Sequence, residues 1–174
     1  IISALQLERA RYQPKLPKSL KGAVKLVEGA KTQSVADQEE ILKLFPNTYG
    51  MPLITFEEAS EAQDHAAVNV GVILSGGQAP GGHNVISGIF DGIKKLNPAS
   101  KLYGFLGGPG GLVDHKYIEI TAEYLDGFRN TGGFDIIGSG RTKLEEEAQF
   151  DKGLEVLKQL DIKALVIIGG DDSN

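Results

Sequence analysis

The chain has 174 residues, long enough for one domain with a substantial apolar core. Its 41% hydrophobic and 24% charged residues are ordinary globular values, and a net charge of −5 without any basic patch interleaved with aromatics argues against a nucleic-acid surface. There is no cysteine for disulfide or thiol chemistry and no run of about 18 apolar residues, so a disulfide scaffold and a membrane-spanning helix are both excluded, and a reducing, cytoplasmic setting is expected.

In chain order, residues 1–20 carry mixed charge, and Pro14 and Pro17 forbid a regular helix around Tyr12–Lys18, so the chain is expected to open as an extended arm. Val24–Val27 reads as a weak strand. Asp37–Phe45 reads as a short amphipathic helix, with Ser34 as a candidate N-cap and Pro46 just past its end. Residues 57–68, polar and rich in Glu and Ala, read as a linker or surface loop. Residues 1–68 therefore form an N-terminal extension, and 69–174 an α/β domain cut short at its C-terminal end. The chain opens on Ile1 and stops at Asn174, directly after a strand-end loop, and is expected to be a piece of a longer one.

The main unit alternates strands and helices. Strand 69–75 is followed by helix 83–96, whose apolar residues Val85, Ile86, Ile89, Phe90, Ile93 and Leu96 paint one face. Next come strand 101–106, a strand or ribbon at 117–120, and helix 121–129 with Thr121 as its cap and Asn130–Gly133 as its stop. The Gly107–Gly111 run between them reads as a flexible loop. Strand 134–137, helix 145–160 and strand 164–168 complete the unit, the last helix presenting Phe150, Leu154, Leu157 and Leu160 to the core. Such alternation implies a Rossmann-like parallel sheet sandwiched by helices.

The chemistry gathers at strand ends, where open α/β sheets bind ligands. After the first strand, Ser75-Gly76-Gly77-Gln78-Ala79-Pro80-Gly81-Gly82 forms a glycine-rich turn that opens a helix. Its N–H groups and the positive end of the helix dipole make an anion site. This turn is not a P-loop, since Lys then Ser/Thr do not follow the closing glycine, and not a dinucleotide fingerprint, since both the spacing and the later acid are missing. Two further strand ends carry Gly138-Ser139-Gly140-Arg141-Thr142-Lys143 and Gly169-Gly170-Asp171-Asp172-Ser173-Asn174.

If these ends share a sheet, Arg141, Lys143 and the two aspartates converge over the glycine turn. Arginine offers a planar fork for phosphate oxygens, and one aspartate suffices for Mg²⁺, which keeps waters and shares phosphate oxygens as ligands. Structural roles compete for each residue: an ion pair of Arg141 with Glu145 or Glu146, solvent exposure for Lys143, helix N-capping for Asp171 and Asp172. His65, His83 and His115 have no spacing of a metal site, and His83 is expected to serve the helix start and the nearby loop.

The run Ser75–Gly88, the segment Arg129-Asn130-Thr131-Gly132-Gly133-Phe134-Asp135, Ser139-Gly140-Arg141 and Gly169–Asn174 together resemble the phosphofructokinase family. With Tyr12–Pro17 and Leu44-Phe45-Pro46-Asn47, they are similar to its long, pyrophosphate-dependent branch. The resemblance implies Mg²⁺-dependent, reversible phosphoryl transfer from pyrophosphate to fructose 6-phosphate, in an enzyme that is a homo- or hetero-oligomer at full length. It implies that Gly76 and Gly77 cradle the donor, that Arg141 binds its phosphates, and that Asp171 serves the metal; Lys143, from its place at the same strand end, is expected to bind the diphosphate too. Asp172, where ATP users carry glycine, would favour pyrophosphate over a nucleotide. The family's catalytic base and sugar-phosphate residues are absent from the sequence, so residues 1–174 alone are expected to turn nothing over.

Overall fold

The computed structural model describes residues 3–15, 21–61 and 64–173. The side chain of Asp172, all of Asn174 and residues 16–20 of the expected arm lie outside the described residues. The chain divides into two compact units, one of residues 14–64 and one that joins 1–13 to 65–174.

The opening is not an extended arm. Helix α1 (Ala4–Ala10) is started by a reciprocal cap, in which the Gln6 amide donates to Ser3 Oγ and the Ser3 amide to Gln6 Oε1. The prolines act only downstream of it. Within the same unit, Asn130 Nδ2 donates to the carbonyls of Arg9 (2.7 Å) and Tyr12 (3.0 Å), adding a second donor at Arg9, which already accepts the Tyr12 amide.

In the unit 14–64, the weak strand is longer than expected: β1 (Val24–Lys31) pairs antiparallel with β2 (Pro52–Glu58), and helix α2 (Gln38–Leu44) lies in the connection between them. Glu57 and Glu58 are thus strand residues and not linker; Lys25 faces Glu57 across the pair at 3.5 Å. Ser34 does not cap α2. Its hydroxyl lies 3.4 Å from that of Tyr49, and the cap position is Asp37, in the left-handed region with φ 53°.

The unit 65–174 is built on four strands: β3 (Asn69–Leu74), β4 (Lys101–Phe105), β5 (Tyr117–Glu119) and β6 (Ile162–Ile168). Their spatial order is β5-β4-β3-β6, with β4 and β6 parallel to β3 and β5 antiparallel to β4. The sheet is therefore mixed and mostly parallel. Helices α3 (Gly82–Leu96) and α5 (Ala122–Asp126) contribute to one apolar layer, where Val70, Val72 and Leu74 of β3 meet Ile86, Phe90, Leu102, Ile120, Leu125, Phe134, Ile136 and Ile137. Ile73 points the other way, into a smaller layer with Phe105, Leu112 of helix α4 (Pro109–Val113) and Val156 of helix α6 (Glu147–Gln159). The alternation along β3 follows from the two-residue period of a strand. Each fully buried side chain of this kind contributes about 1.5–3 kcal/mol.

Three expectations fail in this unit. The Gly107–Gly111 run is not a loop throughout, since Pro109 starts the short helix α4. On α6, Leu157 and the following Leu160 pack against the core as expected, but Gly153 and Val156 are the buried residues, while Phe150 and Leu154 are half exposed. Gly153 lets the helix approach Leu112 closely, which turns the buried stripe around the helix by one position. Residues 134–137 form no strand, although Phe134, Ile136 and Ile137 are as buried as a strand would make them. Their backbone groups bond elsewhere: the Ile137 carbonyl accepts from the Gly107 amide, the Ile136 carbonyl from the Tyr124 hydroxyl, and the amides of Asp135 and Ile136 donate to a histidine ring.

Candidate functional site

A cleft of about 1060 Å³ opens over the carboxyl ends of β3 and β6. Ser75 and Gly76 line it, and beneath them three backbone segments pack against one another. Ser75 bridges to Gly140, the Gly76 amide donates to the Gly140 carbonyl at 2.8 Å, and the Gly107 amide donates to the Ile137 carbonyl at 2.8 Å. A Cβ on Gly140 would lie 2.2 Å from the Gly107 carbonyl oxygen, and one on Gly108 2.4 Å from the Gly140 nitrogen, so backbone touches backbone where no side chain fits. The third rim is tied down by Ser173, whose hydroxyl donates to Ser75 Oγ at 2.9 Å.

The bridge at Ser75 and Gly140 does what the expected strand end would have done. It brings Arg141 over the turn, with the guanidinium Nη2 only 2.9 Å from where a Cβ on Gly77 would stand. Arg141 forms no ion pair with Glu145 or Glu146 among the described residues, which leaves its fork toward the turn. Lys143 and Asp171 line the same cleft, both exposed, and Asp171 opens the single 3₁₀ turn Asp171–Ser173.

Gly76 has φ 89° and its amide is engaged beneath the cleft, so its contribution is the shape of the turn. The open donors begin one residue later. Among the described residues, the amides of Gly77, Gln78 and Ala79 have no acceptor. An arginine fork beside a row of unpaired amides at the start of a 15-residue helix is chemically a receptor for phosphate oxygens.

Sequence reasoning missed part of the lining. Thr142, Pro109, Leu112, Val85 and Phe150 also face the cleft. Periodicity places Val85 and Phe150 on buried helix faces, yet they are 44% and 50% exposed and form an apolar flank to the cleft. Their signal was present in the sequence: each stands at the margin of an apolar stripe and close to a glycine-rich turn.

The loop is also held from outside the cleft. Gly81 and His83 amides donate to the carbonyls of Gly132 and Gly133 at 2.8 and 2.9 Å, and Gly82 packs so tightly on Phe134 that a Cβ would lie 2.3 Å from its ring. Arg129, just before this segment, forks onto both oxygens of Asp91 at 2.9 Å and reaches Asp126 at 2.8 Å, so it is a strut between α3 and α5 and not part of the cleft.

The chain is similar to known proteins. A pyrophosphate--fructose 6-phosphate 1-phosphotransferase of Porphyromonas gingivalis is 65% identical over 172 residues, covering 99% of this chain and 31% of that protein. The beta 1 subunit of the enzyme of that name from Arabidopsis thaliana is 48% identical over 175 residues, covering 100% and 31%. This chain thus spans about a third of the length of these curated relatives. The crystal structure of a pyrophosphate-dependent phosphofructokinase from Nitrosospira multiformis superposes with a TM-score of 0.52 at 25% identity, over 62% of this chain and 28% of that one. The phosphofructokinase family model matches residues 69–174, which include every residue lining the cleft, and the chain belongs to the phosphofructokinase family.

Proposed function

We propose that this chain is the donor-binding part of an enzyme that transfers a phosphoryl group from pyrophosphate to the 1-hydroxyl of fructose 6-phosphate, reversibly giving fructose 1,6-bisphosphate. The observation that carries this reading is the Arg141 guanidinium lying over Gly77, in one cleft with Lys143 and Asp171. The amides of Gly77, Gln78 and Ala79 would bind the oxygens of a terminal phosphate, Arg141 would fork onto them, and Lys143 would add a mobile point charge. A phosphoryl group in flight spreads its charge over three outer oxygens, so donors already fixed around them supply most of what the step needs.

The donor set suits Mg²⁺. Among the described residues no three His, Asp or Glu side chains gather to cage a metal, so the protein would offer Asp171 alone, and a hard cation that keeps its waters and takes phosphate oxygens fits such a site. When bound, Mg²⁺ would neutralise the donor's charge. The full-length protein is read as a cytoplasmic homo- or hetero-oligomer, a reading supported by the subunit name of its plant relative. No helix among the described residues is long and apolar enough to cross a membrane.

Asp172 follows Asp171 in the 3₁₀ turn at the cleft rim, and on this reading its carboxylate repels the inner phosphate of a nucleotide and so selects pyrophosphate. Asp172→Gly in the full-length protein is expected to lower kcat/KM for pyrophosphate by roughly tenfold, the scale of one charged contact, and to admit turnover with ATP. Steady-state assays with each donor check this; unchanged pyrophosphate kinetics with no ATP use would remove Asp172 from its role. The same assay separates the enzyme from a non-catalytic regulatory subunit of the same fold, in which neither donor supports transfer.

A further inference from the structure

His83 is 3% exposed and stands at the first turn of α3, directly after the glycine-rich loop. Its hydrogen bonds define its proton. Thr131 donates its hydroxyl to the Phe128 carbonyl at 2.6 Å, so toward His83 Nδ1, 2.6 Å away, the Thr131 oxygen accepts. The ring is therefore the neutral Nδ1–H form. Nε2 is left as an acceptor, and two backbone amides, of Asp135 and Ile136, donate to it at 3.1 Å each. A third group waits at the same nitrogen: Asp135 Oδ1 lies 2.9 Å from Nε2, where it is a partner only for a protonated ring.

The segment held by this ring leads directly into the cleft. Residues 131–136 continue through Ile137 to Gly140, which accepts from Gly76, and to Arg141, which covers Gly77. The backbone of His83 meanwhile anchors the distal end of the loop to Gly133. One imidazole thus ties together the two pieces of chain that carry the open amides and the arginine.

We propose that His83 is a positioning residue for the donor site: its neutral ring fixes the register between the loop 76–82 and the segment 131–141, and its protonation releases that register. This rests on the donor reading of the cleft. On protonation Nε2 becomes a donor and turns to Asp135, and the amides of Asp135 and Ile136 lose their buried acceptor, a loss that costs more than an ordinary hydrogen bond contributes. Burial lowers the pKa of His83 below 6.5, and Asp135, the one carboxylate facing the ring, pulls it upward by charge and hydrogen bond. The other polar groups of the packed elements are turned away: the Tyr124 hydroxyl to the Ile136 carbonyl, and Arg129 to Asp91 and Asp126. The sign follows from the lowered value. Below 6.5 the unfolded chain takes up a proton that the native ring resists, so the register weakens as pH falls from 6.5 toward the native pKa.

The test compares the full-length protein with its His83→Asn and His83→Gln variants. Gln carries an oxygen near the Nε2 position and does not titrate; Asn is too short to reach either amide. His83→Asn is expected to raise the KM for pyrophosphate roughly tenfold, the effect of orphaning buried donors, while the KM for fructose 6-phosphate moves less than about twofold. His83→Gln is expected to lose less. Its pyrophosphate KM relative to wild type is expected to fall as pH drops from about 7.5 to 5.5, because only the wild type loosens. The ratio cancels the donor's own titration. A ratio constant with pH, or equal KM effects on both substrates, overturns the proposal. If the wild type uses no pyrophosphate at all, the donor reading fails instead, and amide exchange decides the positioning role. His83→Asn should then speed exchange at 76–83 and 131–137 by roughly tenfold with the rest of the sheet unchanged, and equal exchange overturns it.

Discussion

Gly140→Ala is expected to damage both stability and donor use, with the second effect outlasting any restoration of the first. The added methyl would stand 2.2 Å from the Gly107 carbonyl oxygen, and the obstacle is main chain on both sides, since Gly140 nitrogen is in turn what confines Gly108. Nothing flexible can yield, so the segment 138–141 must move away from 107–108. Forced overpacking of this kind costs about 1–3 kcal/mol and lowers the thermal midpoint. The displacement also pulls the Gly140 carbonyl from the Gly76 amide and carries Arg141 off Gly77. We therefore expect a pyrophosphate kcat/KM at least as low as that of an Arg141 deletion, measured at a temperature where circular dichroism reports full folding. Gly92→Ala is the control: it lies on an exposed turn of α3 with nothing within 4 Å of the new methyl, and it should stabilise by about 0.5–1 kcal/mol without touching the kinetics. Retained pyrophosphate kinetics in Gly140→Ala would show that the backbone junction does not set the donor geometry.

Arg141→Ala should lower kcat/KM for pyrophosphate by roughly 30-fold or more, equivalent to ~2 kcal/mol for a lost charge-assisted contact to a transferring phosphoryl group. The side chain is exposed and bonds no carboxylate among the described residues, so its removal should change stability by less than about 0.5 kcal/mol. Arg141→Lys should recover only a small part of the loss, because a point charge does not reproduce a planar fork. Steady-state kinetics paired with thermal melting separate the outcomes. A fall in melting temperature with unaltered pyrophosphate kinetics would mark Arg141 as a structural residue and end the donor assignment.

Most of the sheet unit is readable from residue spacing. The apolar run into Ser75–Gly77, the stripe from Ile86 to Ile93 and the cap at Thr121 all describe local events, and local periodicity reports them faithfully. The errors arise where a residue's partner is distant. Phe134–Ile137 has the burial of a strand, and burial is what an apolar run encodes; that two of its amides bond to a histidine 52 and 53 residues earlier is not encoded locally. Arg141 arrives beside Gly77 for the same kind of reason, through a single bridge at Gly140 and not through a strand end. At α1 the information was present and was outweighed: Ser3 and Gln6 have the spacing of a reciprocal cap, but the downstream prolines dominated the reading of the whole segment. Likewise Leu53–Phe56 has strand-forming residues whose pairing with Leu26 and its neighbours only the structure reveals.

A binding surface made of main chain has nothing on it to mutate. Beneath the cleft, Gly76, Gly107, Gly108 and Gly140 are pressed together, where every replacement is an enlargement and every enlargement collides or strains the chain. Substitutions that leave this backbone in place are thereby confined to the perimeter, to the positions of Arg141, Lys143 and Asp171. On the proposed donor reading, a preference for one phosphate donor over another can be rewritten there one side chain at a time, while the backbone beneath the diphosphate moiety common to all of them is left in place.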